Sequence, residues 1–115
     1  MILNTHNNNG TLVAEILVPE ANLSQSELLK AEMVTLIDQK PKNILIDFSK
    51  VQYVDSSFLG AMVSSLKYAV ANKTDIAVIN LAADISDLFT LIRLDKVFKI
   101  YTNESEAIAD INNTL

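Results

Sequence analysis

The sequence predicts a single α/β domain over residues 1–115, with a mixed β-sheet and about four helices. Two observations carry this prediction. Short apolar runs alternate with segments of helical periodicity from Leu12 onward, which favours parallel strands joined by right-handed crossovers. Before them, an Asn-rich stretch ending at Gly10 predicts a turn between strands at 1–4 and 12–18, because Asn and Gly tolerate positive φ. The predicted sheet is therefore parallel except for an opening antiparallel hairpin.

The remaining strands are predicted from β-rich apolar runs. Pro19 ends the hairpin, because proline cannot donate to a strand ladder. Residues 43–48 include three consecutive aliphatic residues, which is typical of a central strand covered on both faces. Residues 76–79 form a second buried strand. Residues 97–101 form a last strand, and the charge of Lys99 places it at an edge of the sheet.

The helices are predicted from capping residues followed by apolar residues at helical spacing. Ser24 and Glu27 have the spacing of a capping box before the first helix, and Asn103 and Glu106 repeat that spacing before the last. Asp84 is the predicted cap of the third helix. The second helix, which follows the strand at 43–48, has the clearest apolar stripe. Its predicted core residues are Leu59, Met62, Val63, Leu66 and Val70.

Asp55-Ser56-Ser57, at the start of this second helix, is the most informative stretch of the sequence. A serine hydroxyl at a helix N-terminus lies where backbone N–H groups lack partners and the helix dipole is positive. That environment stabilises an added phosphate. Ser57 is therefore the predicted phosphorylation site of a switch. The alternative is that Asp55 and the two serines form an ordinary helix cap.

Four residues of the second helix share a flank outside the predicted core stripe, and Ser57 lies next to it: Phe58, Ala61, Ser65 and Tyr68. One interpretation is a docking ridge for a protein partner, with two aromatic rings separated by small residues. A phosphate on Ser57 would then place roughly two negative charges at the edge of the ridge and block the partner. The other interpretation is that Phe58 and Tyr68 cover a neighbouring helix or loop.

Composition argues against several functional classes. Cysteine is absent and His6 is the only histidine, so neither thiol chemistry nor a His-based metal site or triad is expected. The two glycines, Gly10 and Gly60, are too far apart for a phosphate-binding loop. A net charge of -5 and the absence of tryptophan disfavour nucleic acid, and the charge also disfavours anionic lipid. With no secretory leader and no bilayer-spanning run, a cytoplasmic protein-binding domain without a cofactor is predicted.

Asp47 and Asp55 form a candidate carboxylate pair, because both lie near the predicted carboxyl ends of strands. Such a pair could bind Mg²⁺ or accept a phosphoryl group. However, the acidic pair that a phosphoaspartate receiver carries after its first strand is missing here. Asp47 is better interpreted as a strand-end residue that accepts a hydrogen bond from a turn N–H group.

Much of the chain resembles the STAS domain family, whose name joins sulphate transporters to anti-sigma factor antagonists. The most specific segments are Asn43-Ile44-Leu45-Ile46-Asp47-Phe48-Ser49, Val54-Asp55-Ser56-Ser57 and the Leu59-Gly60 pair that follows. Leu88-Phe89, residues 93–101 and Glu106-Ala107-Ile108 resemble the third helix, last strand and closing helix of the family. The resemblance implies a STAS-like mixed sheet, and the stand-alone bacterial antagonists are the members closest in size.

The resemblance also implies a partner-switching protein that is not itself an enzyme. In such antagonists the unphosphorylated form binds an anti-sigma factor that is also a serine kinase, which releases the sigma factor. The kinase phosphorylates the serine after an Asp-Ser pair, and a serine phosphatase reverses the reaction. Carried onto this chain, that serine is Ser57, beside Asp55 and Ser56. Phe58 stands where the family usually has glycine, and Ser24 where many members have an acidic residue near the phosphorylated serine.

Two other functions stay open from the sequence. STAS domains also serve as non-phosphorylated subunits of membrane transport or lipid-trafficking complexes, in which the second helix simply docks. A third class is small-ligand sensing at the strand ends. A copurifying GHKL-type kinase would favour partner switching, an ABC-type ATPase would favour the transport subunit, and a retained nucleotide or lipid would favour the sensor.

Overall fold

The structure is a computed structural model that describes residues 1–113, in which seven strands and four α-helices are formed. The strands are β1 (Leu3–Asn8), β2 (Thr11–Ile16), β3 (Glu20–Ala21), β4 (Asn43–Asp47), β5 (Tyr53–Val54), β6 (Asp75–Ile79) and β7 (Lys99–Tyr101). The helices are α1 (Leu23–Asp38), α2 (Ser56–Ala71), α3 (Ala83–Leu91) and α4 (Glu104–Asn112), and a short 3-10 helix (Leu94–Lys96) precedes β7.

Five strands form the main sheet, in the order β1-β2-β4-β6-β7. β1 and β2 are antiparallel, and every other neighbouring pair is parallel, which confirms the predicted mixed sheet. The hairpin turn consists of Asn9 and Gly10, both at positive φ (53° and 89°). β1 extends to Asn8, beyond the predicted strand at 1–4, because the Asn-rich stretch itself pairs with β2.

A second sheet of two very short parallel strands was not predicted. β3 pairs with β5, with Glu20 opposite Tyr53 and Ala21 opposite Val54. The carbonyl of Pro19 accepts hydrogen bonds from the N–H groups of Gln52 and Tyr53 at 2.8 and 3.1 Å. Strands of two residues are too short to show a period in the sequence. Their pairing fixes the loop after β4 against the segment that leads into α1.

The helices cover the main sheet on both faces. α1, α2 and α3 pack on one face, in a core that contains the three largest fully buried side chains, Phe48, Phe58 and Phe89. α4 packs on the other face, where Ala107 and Ile108 meet the side chains of β2, β4 and β6 that point that way. None of the helices within residues 1–113 is long and apolar enough to cross a membrane.

Two predicted helix caps are wrong and one is confirmed. α1 is capped by Asn22, whose Oδ1 accepts from the N–H and hydroxyl of Ser24 at 3.1 and 2.6 Å, so Ser24 lies inside the helix. α3 begins before Asp84, which lies in the first turn and accepts from the adjacent N–H of Ile85 at 3.0 Å, whereas the N-cap position is held by Ala82. Asn103 caps α4 as predicted, by accepting from the N–H of Glu106 at 2.9 Å.

Candidate functional site

The first turn of α2 holds Ser57 beside backbone N–H groups that lack acceptors. Asp55 is the N-cap, and its Oδ1 accepts from the N–H of Phe58 at 2.9 Å. The N–H of Asp55 itself donates to the carbonyl of Ala21 at 3.0 Å. Within residues 1–113, the N–H groups of Ser56 and Ser57 have no acceptor, as expected for the first turn of a helix. These two groups and the helix dipole make this turn a favourable position for an anion.

Asp55 also joins α2 to α1. Its second oxygen, Oδ2, accepts from the N–H of Leu23, the first residue of α1, at 3.0 Å. One carboxylate therefore satisfies a donor at the start of each helix and holds the two N-termini side by side. Ser24, Ser56 and Ser57 lie on these adjoining first turns. Ser24 and Ser56 are exposed, and Ser57 is half-buried.

The flank predicted as a docking ridge is not a surface. Phe58, Ala61 and Ser65 are buried, so the prediction of an exposed ridge is wrong for these three residues. Tyr68 is partly exposed, but its hydroxyl donates to Asp38 Oδ1 of α1 at 2.5 Å, and this hydrogen bond raises the pKa of Tyr68. The flank faces α1, which is the alternative interpretation of the sequence pattern.

The buried face of α2 is therefore rotated by about one residue from the predicted stripe. Ala69 is fully buried in the last turn, whereas the predicted core residue Val70 is largely exposed. One residue corresponds to a rotation of about 100° around the helix axis. Leu59 and Met62 are buried as predicted, and Val63 and Leu66 are partly buried.

Two exposed apolar side chains next to the Ser57 turn were missed by the sequence analysis. Leu23, bonded through its N–H to Asp55, is 69% exposed, and Tyr53, two residues before Asp55, is 56% exposed. The sequence signal for both is weak, since each is an apolar residue at the end of an element and outside any periodic pattern. Together with Ser24, Ser56 and Ser57 they form a surface that we call the helix-tip surface.

Asp47 plays a structural part, as the sequence analysis preferred. Its Oδ1 accepts from the N–H of Ser49 at 2.8 Å and from the amide of Asn80 at 2.9 Å, which ties the loop after β4 to the loop after β6. Asp55 is engaged with two helix N-termini, as described above. Within residues 1–113 no group of three or more His, Asp or Glu side chains is arranged to hold a metal ion.

Comparison with known proteins assigns the family. The family model for the STAS domain matches residues 11–107. The chain belongs to the STAS domain family. The matched region includes every main-sheet strand except β1, both helix N-termini of the helix-tip surface and the first turn of α4.

Solved structures with the same STAS fold include stand-alone regulators. A proposed anti-sigma factor antagonist of Thermotoga maritima superposes with a TM-score of 0.85 at 20% identity, covering 96% of this chain and 94% of that one. The antagonist SpoIIAA in its unphosphorylated form gives 0.72 at 16% identity, covering 98% and 99%. The Bacillus cell-fate determinant SpoIIAA in its phosphorylated form gives 0.69 at 21% identity, covering 95% and 98%. At these identities the likeness shows the fold.

Replacing Asp55 by alanine tests the double-cap geometry. We expect Asp55→Ala to lower the free energy of unfolding by about 2 to 3 kcal/mol, because donors at two helix N-termini lose their acceptor. Asp55→Asn keeps one acceptor oxygen and should lose about half as much. Urea unfolding measures both, with Asn103→Ala, which removes a cap on one helix only, as the matched control. If Asp55→Ala costs no more than Asn103→Ala, the two-helix role of Asp55 is wrong.

Proposed function

We propose that this STAS domain is an anti-sigma factor antagonist that acts by partner switching in the cytoplasm. In its unphosphorylated form it binds an anti-sigma factor that is also a serine kinase, and phosphorylation of Ser57 ends that binding. A serine phosphatase would restore the unphosphorylated form. In this proposal the whole chain functions as one domain and catalyses no reaction itself.

The observation that carries the proposal is the position of Ser57. It lies in the first turn of α2, on a surface with exposed apolar side chains and beside two backbone N–H groups that have no acceptor among the described residues. The family match and the likeness to antagonists of nearly equal length support it. One of those relatives has been solved in a phosphorylated form.

The two departures from the family pattern are compatible with phosphorylation. The Phe58 side chain is buried against the core, so its ring does not cover the Ser57 hydroxyl from the solvent side. Ser24, which replaces an acidic residue, adds no negative charge beside a phosphate. Its hydroxyl donates to Asn22 and is exposed. The Asp55 carboxylate, two residues before Ser57, is held by the N–H groups of Leu23 and Phe58.

The proposed switch works by charge at an apolar contact. Leu23 and Tyr53 supply the apolar area that a partner would cover in the unphosphorylated state. A phosphoryl group adds about 1.5 to 2 negative charges at the edge of that area. Burying this charge under a partner would cost much more desolvation energy than burying the uncharged serine hydroxyl. The helix N-terminus stabilises the phosphate on the free protein, which favours dissociation further.

Capture of the partner tests this proposal. We expect the tagged wild-type chain to copurify from its host with a GHKL-type serine kinase, and Leu23→Ser to reduce recovery because it removes an exposed apolar contact. Ser57→Asp should reduce recovery at least about tenfold, since it puts a negative charge in the same place. Lys67→Ser, on the exposed side of α2 away from its N-terminus, is the control and should leave recovery unchanged. Capture of an ABC-type ATPase instead, with no effect of Ser57→Asp, would assign the chain to a transport complex.

A further inference from the structure

The fold separates the charges of this acidic chain into two ends. The parallel strands β2, β4, β6 and β7 run in one direction, so the loops that follow the helices gather at their amino-terminal edge. Of the nine basic residues, seven lie at or near this edge: Lys40, Lys42, Lys67, Lys73, Arg93, Lys96 and Lys99. The opposite edge, which carries the helix-tip surface, has the other two lysines, Lys30 and Lys50, paired with Glu27 and Glu15. It has eight carboxylates: Glu15, Glu20, Glu27, Asp47, Asp55, Asp84, Glu104 and Glu106.

The basic edge also carries exposed aliphatic side chains. Leu91 and Ile92 lie where α3 ends, and the chain turns at Arg93 through a left-handed conformation with φ 65°. Val97 follows the 3-10 helix, and Val70 lies in the last turn of α2. These four side chains are 46 to 78% exposed, and Val70 and Val97 line the same cleft. We call the four together with Arg93 and Lys96 the basic apolar end.

Carboxylates do not cancel the charge of this end. Against the seven basic residues, four acidic residues lie near the amino-terminal edge: Asp38, Asp75, Asp95 and Asp110. The seven basic residues therefore leave this edge net positive, although the chain has a net charge of -5.

We propose that the basic apolar end docks this protein on the surface of a bilayer that contains anionic phospholipids. Exposed aliphatic side chains surrounded by Lys and Arg are the combination that binds such surfaces, by shallow burial of the apolar groups and attraction of the charges to the headgroups. The negative charges at the opposite end of the molecule repel anionic lipids only weakly. The molecule is up to 35 Å long, whereas charges in physiological salt are screened over about 8 Å.

The composition of this end favours a lipid surface over an acidic protein partner. Protein interfaces are enriched in Tyr, Trp and Arg and depleted in Lys. The four side chains of the basic apolar end are all aliphatic, the partly exposed ring of Tyr68 lies at the same edge, and six of the seven basic residues there are lysines. The helix-tip surface lies at the opposite end of the sheet, so a docked molecule would present it away from the membrane. The inference is therefore independent of the proposed function.

Co-sedimentation of the full chain with vesicles tests the inference. We expect binding to vesicles of phosphatidylcholine with phosphatidylglycerol, weak binding to pure phosphatidylcholine, and release at high salt. Arg93→Glu with Lys96→Glu should lower the partition coefficient at least about tenfold. Lys30→Glu with Lys50→Glu makes the same change of net charge away from this end, and should have less than about a third of that effect, because screening limits charges to short range.

A second pair of variants separates this inference from the proposed function. Leu91→Ser should lower vesicle binding roughly fivefold and leave partner capture unchanged, because it removes an aliphatic group at the basic apolar end. Leu23→Ser, at a similarly exposed leucine, should lower partner capture and leave vesicle binding unchanged. No binding to anionic vesicles, or an equal loss in the two charge-reversal pairs, would overturn the inference. Binding to a polyglutamate resin without binding to vesicles would also overturn it and would indicate an acidic polypeptide as the ligand.

Discussion

Phe58→Ala is expected to lower the free energy of unfolding by about 3 to 5 kcal/mol. The Phe58 side chain is fully buried in the hydrophobic core on the face of the sheet that α1, α2 and α3 cover, although Phe58 directly follows the half-buried Ser57. Replacing a buried phenylalanine by alanine removes apolar contacts and leaves a cavity that the surroundings fill only in part. Because small domains are stable by about 5 to 15 kcal/mol in total, this variant should unfold at a much lower urea concentration.

Urea unfolding followed by circular dichroism measures this effect, and Tyr68→Ala is the matched control from the same flank of α2. Tyr68 is partly exposed and makes one hydrogen bond to Asp38, so Tyr68→Ala should lower the free energy of unfolding much less than Phe58→Ala does. If Phe58 were instead a partner contact, Phe58→Ala would unfold like the wild type and lose only partner binding. That result would contradict the burial described here.

The order of the main elements could be predicted because each is coded locally. The Asn-Gly turn, the aliphatic run in β4 and the apolar periodicity of the helices each point to one type of element. Alternation of strands and helices then determines the parallel pairing. The two-residue strands β3 and β5 could not be predicted. Their pairing depends on contact between the segment that follows β2 and the segment that follows β4, and no local pattern encodes that contact.

The orientation of α2 could not be predicted, because apolar residues are present on too many of its sides. Phe58 and Leu59 are adjacent and both buried, so two overlapping stripes fit the sequence. Ser65 carries a hydroxyl, which donates to the carbonyl of Ala61 at 2.8 Å. This bond satisfies the hydroxyl inside the helix, and small residues such as Ala61 and Ser65 let α1 approach closely. The assignment of that flank to the surface failed for this reason.

The candidate site was predicted in part. The Asp-Ser-Ser sequence led to the first turn of α2, where the structure also has it. The link from Asp55 to Leu23 needs α1 and α2 to lie side by side, which no local pattern encodes. Leu23 and Tyr53 become candidate partner contacts only once this link places the start of α1 beside the first turn of α2. The charge separation between the two ends likewise follows from the topology and is invisible in the net charge.

Phosphorylation of Ser57 is the second large effect that we expect. The proposed switch requires nearly every molecule to be converted from the unphosphorylated to the phosphorylated form. With the partner kinase and ATP, the wild-type chain should gain one phosphoryl group per molecule. Ser57→Ala should gain none, since it lacks the accepting hydroxyl. Ser56→Ala keeps that hydroxyl and should still be modified. The phosphorylated chain should bind its partner at least about tenfold more weakly, owing to the charge added at the helix-tip surface.

Intact mass spectrometry after incubation with the kinase and ATP tests the proposed switch most directly. We expect a single added phosphoryl group on the wild-type chain and on Ser56→Ala, and an unchanged mass for Ser57→Ala. An unmodified wild-type chain, or the same mass gain in Ser57→Ala, would contradict the proposed switch.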